Sequence, residues 1–268
     1  MQTLTEIKAL LASRGIRPRH RFGQNFLHDH NLIRRLVESS AVRAGDVVLE
    51  VGPGTGALTE PLVDLGCRVI ACEIDRDMQS IVRERLGNRV TLIEGDCLDG
   101  KHALSSGLAA ALGTEPFTLV ANLPYQAATP LMATLLTDYP QCRGQFVTIQ
   151  KEVAQRLAAS PGDDQWGSIS VLASVFAGVE WIATLPSSCF WPAPDVTSAM
   201  VALRPRHPRP AIDARELGEF SQRLFSKRRK QLGAVLGRGF PFPTGIDPGA
   251  RAETLTPPQV VALLDAAR

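Results

Sequence analysis

The segment VVLEVGPGTGALTE (47–60) decides the fold, because it joins the pattern of a buried strand to a glycine loop and the start of a helix. Its first part, VVLEVG (47–52), is mostly valine and leucine, which is typical of a parallel strand covered on both faces. The loop GPGTG (52–56) follows at once, and its glycines allow a bound group to approach the backbone closely. The segment therefore predicts a strand, loop and helix unit that binds a nucleotide-type ligand.

Four similar apolar runs follow along the chain, and stretches of helical periodicity separate most of them. These runs are RVIACEI (68–74), RVTLIEG (89–95), FTLVANL (117–123) and GQFVTIQ (144–150). The alternation predicts an α/β fold with a doubly wound, mostly parallel, Rossmann-like sheet, whose ligand site lies beyond the carboxyl ends of the strands. After residue 165, SISVLASVFAGVEWIATLP and SAMVALRP predict a helix and two more strands at the sheet edge.

Both ends of the chain carry helical patterns. The first fifteen residues predict a short amphipathic helix, which precedes the basic loop RPRHRFGQNFL (17–27) and a second helix over 31–39. Prolines at 205, 208 and 210 interrupt any regular element. We therefore expect a main domain over residues 1–205 and a small all-helical domain over 206–268, with helical periodicity throughout ARELGEFSQRLFSKRRKQLGAVLG (214–237).

The composition is that of an ordinary globular protein, with 268 residues of which 44% are hydrophobic and 21% charged. No run of about 18 uncharged apolar residues occurs, and Glu6 and Lys8 interrupt the first apolar pattern, so neither a membrane span nor a signal peptide fits. Five cysteines form no CxxC pair, which predicts reduced, buried thiols. We expect a cytoplasmic monomer without a metal site.

Charge is distributed unevenly behind the net value of +2. Residues 1–43 carry 8 Lys and Arg against 3 Asp and Glu, residues 44–200 carry 9 against 18, and residues 201–238 carry 10 against 3. Two basic ends around an acidic middle favour a polyanionic partner, although solvated helix faces would give the same pattern. The candidates for phosphate contact are Arg17, Arg19, Arg21, Lys227, Arg228, Arg229 and Lys230.

Two acidic residues follow the glycine loop at the ends of predicted strands. Glu73 comes twenty-one residues after Gly52, where a carboxylate accepts hydrogen bonds from ribose hydroxyls, and Asp96 follows the third strand. A negatively lined pocket suits adenosine with a cationic tail better than it suits a pyrophosphate. The sequence therefore predicts S-adenosylmethionine as the cofactor, unless both acids only cap helices or turns.

The tetrapeptide Asn122-Leu123-Pro124-Tyr125 ends the fourth strand and carries the most chemical information. The exocyclic nitrogen of adenine is a poor nucleophile because its lone pair is delocalised into the ring. An Asn oxygen and a backbone carbonyl beside proline can accept its two N–H bonds, and Tyr125 offers a face for the base to stack on. An ordinary strand-to-turn segment is the alternative.

Nine segments together resemble the ribosomal RNA adenine dimethyltransferase family, and within it the bacterial small-subunit branch linked to kasugamycin sensitivity. They are FGQNFL (22–27), EVGPGTGALT (50–59), CEID (72–75), GDCL (95–98), NLPY (122–125), QKEVAQRL (150–157), FWPAPDVTSA (190–199), LFSKRRKQL (224–232) and GIDPGARAETLT (245–256). The resemblance covers nearly the whole chain in colinear order. It implies dimethylation of two adjacent adenines near the 3′ end of 16S ribosomal RNA, late in the assembly of the small subunit.

The resemblance also implies roles for individual residues. Asn25 and Leu27 would close over the cofactor, Glu73 would hold its ribose, and Asn122 would be shared between the cofactor pocket and the target nitrogen. Tyr125 and Phe190 would lie on opposite sides of the target base, next to Leu123 and Pro124. The full cofactor-binding set would be Gln24, Asn25, Leu27, Gly52, Gly54, Glu73, Ile74, Asp96, Cys97 and Asn122.

Two features depart from the pattern of the family, and two other functions stay open. Gln126-Ala127 stands where relatives usually have Asn-Ile, and Asp195 stands where they usually have lysine. One alternative is a methyltransferase acting on large-subunit RNA, which the low net charge and the long tail disfavour. The other is an assembly factor without catalytic activity in a pre-30S particle, which the intact glycine loop and Asn122 disfavour.

Overall fold

The chain folds around a seven-stranded sheet in this computed structural model, which describes residues 1–100 and 103–268. The strands in chain order are β1 (Phe26–Leu27), β2 (Val47–Val51), β3 (Arg68–Glu73), β4 (Val90–Glu94), β5 (Leu98–Asp99), β6 (Ala103–Leu104), β7 (Phe117–Asn122), β8 (Cys142–Gln150), β9 (Ala177–Leu185), β10 (Phe190–Trp191) and β11 (Ser198–Pro205). The helices are α1 (Leu4–Ser13), α2 (His30–Ser40), α3 (Thr59–Asp64), α4 (Arg76–Leu86), α5 (Ser106–Leu112), α6 (Tyr125–Asp138), α7 (Lys151–Ala158), α8 (Ser168–Phe176), α9 (Ala214–Phe225), α10 (Leu232–Leu236) and α11 (Pro257–Ala266).

The strand order of the central sheet is β4-β3-β2-β7-β8-β11-β9. The pairs from β4 to β8 are parallel, whereas β11 is antiparallel to both of its neighbours, so β9 and β11 form the predicted pair at the sheet edge. Strands β3 and β4 extend the sheet on one side of β2, and β7 lies on the other side. The strand order therefore runs in opposite directions on the two sides of β2. Such a change of direction forms a topological switch point at the carboxyl ends of β2 and β7, where open α/β sheets bind their ligands. The predicted fold class is confirmed.

Alternate side chains of each central strand enter two different cores, which explains the near-continuous apolar runs in the sequence. On β2, Val48 packs in the core that includes residues of α2, α3 and α4. Leu49 packs in the larger core, which includes residues of α5, α6, α7 and α8. Both side chains are fully buried. Helices on both faces therefore hold the carboxyl ends of the strands in fixed positions.

The amino-terminal segment crosses the carboxyl edge of the sheet. Helix α1 buries Ile7 and Leu11 against Met78 and Ile81 of α4. Strand β1 then pairs with β10, with Leu27 opposite Phe190. Because both ends of this crossing are anchored, the residues between α1 and β1 lie over the loops that follow the parallel strands.

The helical region after residue 205 packs on the larger core. Leu217 of α9 and Leu263 of α11 are fully buried in the same cluster as Leu172 of α8, so apolar packing is continuous across the proposed boundary. The division into residues 1–205 and 206–268 stays a prediction. No helix of the described chain is both long enough and apolar enough to span a membrane.

The predicted helical run over 214–237 is broken in the middle. Helix α9 ends at Phe225 and α10 begins at Leu232, so the basic KRRK run (227–230) lies in the turn between them. The chain leaves the helix because Leu232 N donates to Ala250 O at 2.8 Å and Gln231 bridges to Arg251. Helical periodicity could not predict this pairing with a distant part of the chain.

All five cysteines are free and buried, as their spacing predicts. Burial, together with the nearby Glu73 and Asp96 carboxylates, raises the pKa of the Cys72 thiol to about 12. A thiol with so high a pKa stays protonated and is a weak nucleophile. Cys72 therefore contributes packing beside the site.

Candidate active site

A cavity of about 630 Å³ opens at the switch point of the sheet. Its volume is in the range of small-molecule and cofactor sites. The lining residues include every predicted cofactor-binding residue: Gln24, Asn25, Leu27, Gly52, Gly54, Glu73, Ile74, Asp96, Cys97 and Asn122. The structure thus brings together residues that are up to 98 positions apart in sequence, from Gln24 to Asn122.

The glycine loop needs its glycines for two physical reasons. Gly52 has φ +73°, and a Cβ at this position would lie 2.9 Å from Cγ of Pro124. A Cβ at Gly54, where φ is +55°, would lie 2.9 Å from the ring of Phe26. Only glycine fits such a conformation and such close contacts without strain. The loop is therefore packed directly against the NLPY segment and against β1.

Glu73 lies at the end of β3, with 6% of its surface exposed. Its Oε1 accepts a hydrogen bond from Asp75 N at 2.9 Å, and its Oε2 accepts one from Gly54 N at 3.2 Å. Burial raises the pKa of this carboxyl, and the two backbone donors oppose that rise. The side chain is therefore held in one orientation at the cavity wall, where its oxygens retain lone pairs for ribose hydroxyls.

Asp96 follows β4 and is exposed at the rim of the cavity. Its Oδ1 accepts a hydrogen bond from Leu98 N at 3.0 Å, which is the turn geometry that the sequence left open as an alternative. A carboxylate has acceptor sites on both oxygens, so this bond leaves capacity to bind an exocyclic amine. Ile74, 44% exposed, adds an apolar surface to the same cavity.

Asn122 occupies the end of β7 and has a fixed side-chain amide. Its Nδ2 donates to the backbone oxygen of Asn25 at 2.9 Å. Its Oδ1 has no hydrogen-bond partner among residues 1–100 and 103–268, and the same holds for the backbone oxygen of Leu123. Asn122 Oδ1 is therefore an oriented and unoccupied acceptor at the cavity, and the backbone carbonyl of Leu123 follows it directly in the chain.

Comparison with known proteins places this cavity in a known family. The family model described as ribosomal RNA adenine dimethylase matches residues 15–265. The ribosomal RNA small subunit methyltransferase A of Magnetococcus marinus is 41% identical over 267 residues, covering 96% of this chain and 94% of the relative. The chain belongs to the ribosomal RNA adenine dimethylase family. The resemblance found in the sequence motifs is confirmed.

Two solved structures of similar fold extend this comparison. A dimethyladenosine transferase from Plasmodium falciparum has a TM-score of 0.71 at 24% identity, covering 89% of this chain and 95% of that one. The 23S rRNA methyltransferase ErmE has a TM-score of 0.66 at 26% identity, covering 90% of this chain and 99% of that one. Both structures thus share the fold of this chain over about nine-tenths of its length.

Three of the predicted catalytic residues do not line the cavity in the described part of this adenine dimethylase. Leu123 is 2% exposed and belongs to the larger core. Tyr125 is half-buried, and its hydroxyl is 2.9 Å from Oγ of Ser198, which fixes the ring. Phe190 is 3% exposed and packs with Leu27 in the smaller core. Stacking of a base on Phe190 stays a prediction, and it requires this ring to become uncovered.

Four of the seven predicted phosphate-contacting residues are exposed and make neither an ion pair nor a contact with an aromatic ring within the described chain. These are Arg17, Lys227, Arg229 and Lys230. Arg21 is also exposed, and its guanidinium lies 4.7 Å from the centre of the Phe22 ring. In contrast, Arg228 pairs with Glu253 at 3.2 Å and donates to the backbone oxygen of Asp164 at 2.8 Å. Arg228 therefore joins the turn after α9 both to Glu253 and to the loop before α8.

Glu50 is a further functional candidate, which the motifs of the sequence did not single out. It lines the cavity at 2% exposure, and its Oε2 has no hydrogen-bond partner in the described residues. Burial and, to a smaller extent, the charge of Glu73 raise the pKa of its carboxyl to about 8. An acidic residue inside the apolar run VVLEV (47–51), directly before the glycine loop, was the signal available in the sequence.

We expect the replacement Glu50→Gln to flatten the pH dependence of stability. Because folding raises the pKa from 4.5 to about 8, this group favours the folded state most below pH 4.5 and loses that contribution as pH rises through 8. The loss amounts to at most about 1.4 kcal/mol per pH unit. Urea unfolding of the protein without cofactor between pH 5 and 8 should show a smaller loss for the variant than for the wild type. If the stability of the variant and of the wild type changed with pH in parallel, Glu50 would not have a raised pKa in the folded protein. Glu94→Gln, at an exposed position, is the control.

Proposed function

We propose that the chain is an S-adenosylmethionine-dependent enzyme that converts two adjacent adenines near the 3′ end of 16S ribosomal RNA to N6,N6-dimethyladenosine. It would act in the cytoplasm, as a monomer, on a pre-30S particle. The observation that carries the reaction is the free acceptor Asn122 Oδ1, which the bond from Nδ2 to Asn25 O orients at the cavity and which the Leu123 carbonyl follows in the chain. Membership of the adenine dimethylase family and the names of its small-subunit relatives support the RNA target.

The cavity fits S-adenosylmethionine in volume and in the charge of its lining. Glu50, Glu73 and Asp96 surround the glycine loop with carboxyl groups, and the unpartnered Oε2 of Glu50 is a buried acceptor for a polar group of the cofactor. Such a lining suits a ligand that carries an amino group and a sulfonium, and it would repel a pyrophosphate. When bound, S-adenosylmethionine supplies an electrophilic methyl group.

The protein's own part in the reaction is to orient the adenine nitrogen. Asn122 Oδ1 and the Leu123 carbonyl would accept the two N–H bonds of the amine, so that its lone pair turns out of the plane of the ring. The same two acceptors stabilise the positive charge that develops on nitrogen as it attacks, because they are oriented before the reaction. No strong general base is required, since the proton on nitrogen becomes acidic after the methyl group has been transferred.

Methyl incorporation into isolated subunits tests the choice of RNA. We expect the purified protein to transfer labelled methyl groups from S-adenosylmethionine to small subunits that lack the modification, with little transfer to large subunits. The alternative of a large-subunit enzyme rests on the shared fold with ErmE, at 26% identity. Preferential labelling of 23S RNA would support that alternative against our proposal.

The exposed basic residues of the tail turn should control RNA affinity. We expect joint replacement of Lys227, Arg229 and Lys230 by alanine to weaken binding to small subunits and to lower the slope of log affinity against log salt by about 2 to 3. Cofactor affinity should not change, because these side chains lie outside the cavity walls. Calorimetry with S-adenosylmethionine and a salt titration of subunit binding measure the two effects.

Three exposed arginines near the amino ends of strands provide a charge-matched control. Arg68, Arg89 and Arg143 are exposed near the amino ends of β3, β4 and β8, and each forms only a surface ion pair. Surface pairs contribute about 0 to 1 kcal/mol, so their joint replacement by alanine should preserve the fold. An equal loss of subunit binding in both triple variants would show that total charge matters and that the tail turn is not a specific contact.

A further inference from the structure

The residues from Arg19 to Asn25, which we call the clasp segment, are fastened to the loop after β3. The guanidinium of Arg19 donates to Asp75 Oδ1 at 2.7 Å and to Asp77 Oδ2 at 2.5 Å. The Asp75 side chain is only 1% exposed, whereas the side chain of Arg19 is 39% exposed. Two carboxylates thus surround one guanidinium, and this net negative site would repel a phosphate. The predicted phosphate contact of Arg19 has no support in this geometry.

Gln24 makes a second connection between the clasp segment and the same carboxylate. Its Nε2 donates to Asp75 Oδ2 at 2.6 Å, and its Oε1 accepts a hydrogen bond from Arg19 N at 2.7 Å. Both ends of the amide are therefore engaged inside the protein. Gln24 lines the cavity, but its polar atoms act on the clasp segment.

The two ends of the clasp segment reach the two halves of the proposed site. Asp75 N donates to Oε1 of Glu73 at 2.9 Å, so the residue that binds Arg19 also orients the proposed ribose carboxylate. At the other end, the backbone oxygen of Asn25 accepts the hydrogen bond from Asn122 that leaves the asparagine oxygen free. A displacement of the clasp segment would disturb both contacts at once.

We propose that Arg19, Gln24 and Asp75 are positioning residues, which hold the clasp segment over the cofactor and thereby orient Asn122. This inference rests on the proposed function, because it assigns the three residues to the same site. Arg19 then acts on cofactor affinity and on the orientation of Asn122, and it does not act as an RNA ligand. The affinity for a cofactor falls in proportion to the fraction of molecules in which a segment of this kind is closed.

Arg19→Ala tests the proposal, with Arg76→Ala as the matched control. Arg76 is exposed, follows Asp75 directly, and makes no side-chain hydrogen bond within the described chain. Calorimetry without RNA should give a dissociation constant for S-adenosylmethionine raised about tenfold in Arg19→Ala, which corresponds to about 1.4 kcal/mol, and nearly unchanged in Arg76→Ala. Arg19→Lys should recover only part of the affinity, because lysine keeps the charge but lacks the fork that reaches two carboxylates.

Further readouts separate positioning from a purely structural role and from RNA contact. Asp75→Asn keeps a residue that caps α4, and Arg19→Ala should cost less cofactor affinity in that background than in the wild type, because only the pair with Asp77 is then left to remove. Binding of Arg19→Ala to small subunits without cofactor should match that of the wild type. The kcat for methyl transfer should also fall at saturating cofactor, because Asn122 loses its fixed partner.

Three results would overturn the proposed role of Arg19, Gln24 and Asp75 in positioning the clasp segment. Unchanged cofactor affinity in Arg19→Ala would exclude positioning, and if the melting temperature of the cofactor-free protein fell at the same time, Arg19 would be purely structural. Weaker subunit binding with unchanged cofactor affinity would return Arg19 to RNA contact. A wild-type protein that binds no S-adenosylmethionine would overturn the proposed function itself, and the clasp with it.

Discussion

Replacement of Asn122 by alanine is expected to lower the kcat for methyl transfer by about 10²- to 10³-fold, the usual effect of removing one preorganised polar group that stabilises a transition state. The variant loses the Oδ1 acceptor and also the Nδ2 donor to Asn25 O. The fold should survive, because Asn122 is only partly buried and lies outside the apolar clusters. Single-turnover assays with saturating cofactor and small subunits measure the rate of the chemical step.

The control for this prediction is Asn88→Ala, at an exposed position between α4 and β4. It should retain the wild-type rate. An Asn122→Ala enzyme within a few-fold of the wild-type rate would remove the acceptor pair from the mechanism. If this variant lost methyl transfer but still supported subunit maturation in cells, the protein would have an assembly role that is separable from catalysis.

Replacement of Glu73 by alanine should weaken binding of S-adenosylmethionine by roughly 100-fold, because two hydrogen bonds to a charged acceptor are lost at about 1.5 kcal/mol each. The variant also frees Asp75 N and Gly54 N, which Glu73 holds at 2.9 and 3.2 Å. The glycine loop and the loop after β3 should then lose their common anchor. Calorimetry with S-adenosylmethionine, without RNA, measures the effect.

Glu94→Ala is a closely matched control for the cofactor prediction. Glu94 lies opposite Glu73 in the parallel register of β3 and β4, but it is exposed and does not line the cavity. The Glu94→Ala variant should bind S-adenosylmethionine with wild-type affinity. Equal losses in both variants would mean that negative charge at this sheet edge matters in general, and that Glu73 has no specific contact with the ligand.

Much of the fold was predictable because local pattern and global structure agree in the sheet. The strand predicted over 47–52 is observed as Val47–Val51, and the one predicted over 117–123 as Phe117–Asn122. A parallel strand that is buried on both faces needs apolar residues at nearly every position, so its sequence is a recognisable apolar run. The tail was predicted less well, since the break between α9 and α10 depends on pairing with residues near Ala250.

The sequence predicted which residues line the candidate site. It did not predict which of their side chains are free to bind a ligand and which are engaged by other residues of the protein. Strand ends and the glycine loop identify Glu73, Asp96 and Asn122, because parallel strands bring their carboxyl ends to one edge. Whether a side chain is free to bind a ligand depends on its tertiary partners. Gln24 and Arg19 are engaged by Asp75, and this long-range contact leaves no periodic signal in the sequence.

The most direct measurement is an analysis of the nucleosides of 16S RNA after reaction with the purified protein. Small subunits that lack the modification would be incubated with S-adenosylmethionine and the wild-type protein or its Asn122→Ala variant, and the RNA digested for mass spectrometry. The account predicts N6,N6-dimethyladenosine with the wild type and almost none with the variant. Tight binding of the wild-type protein to small subunits without any methylated adenine would contradict it and would favour an assembly factor.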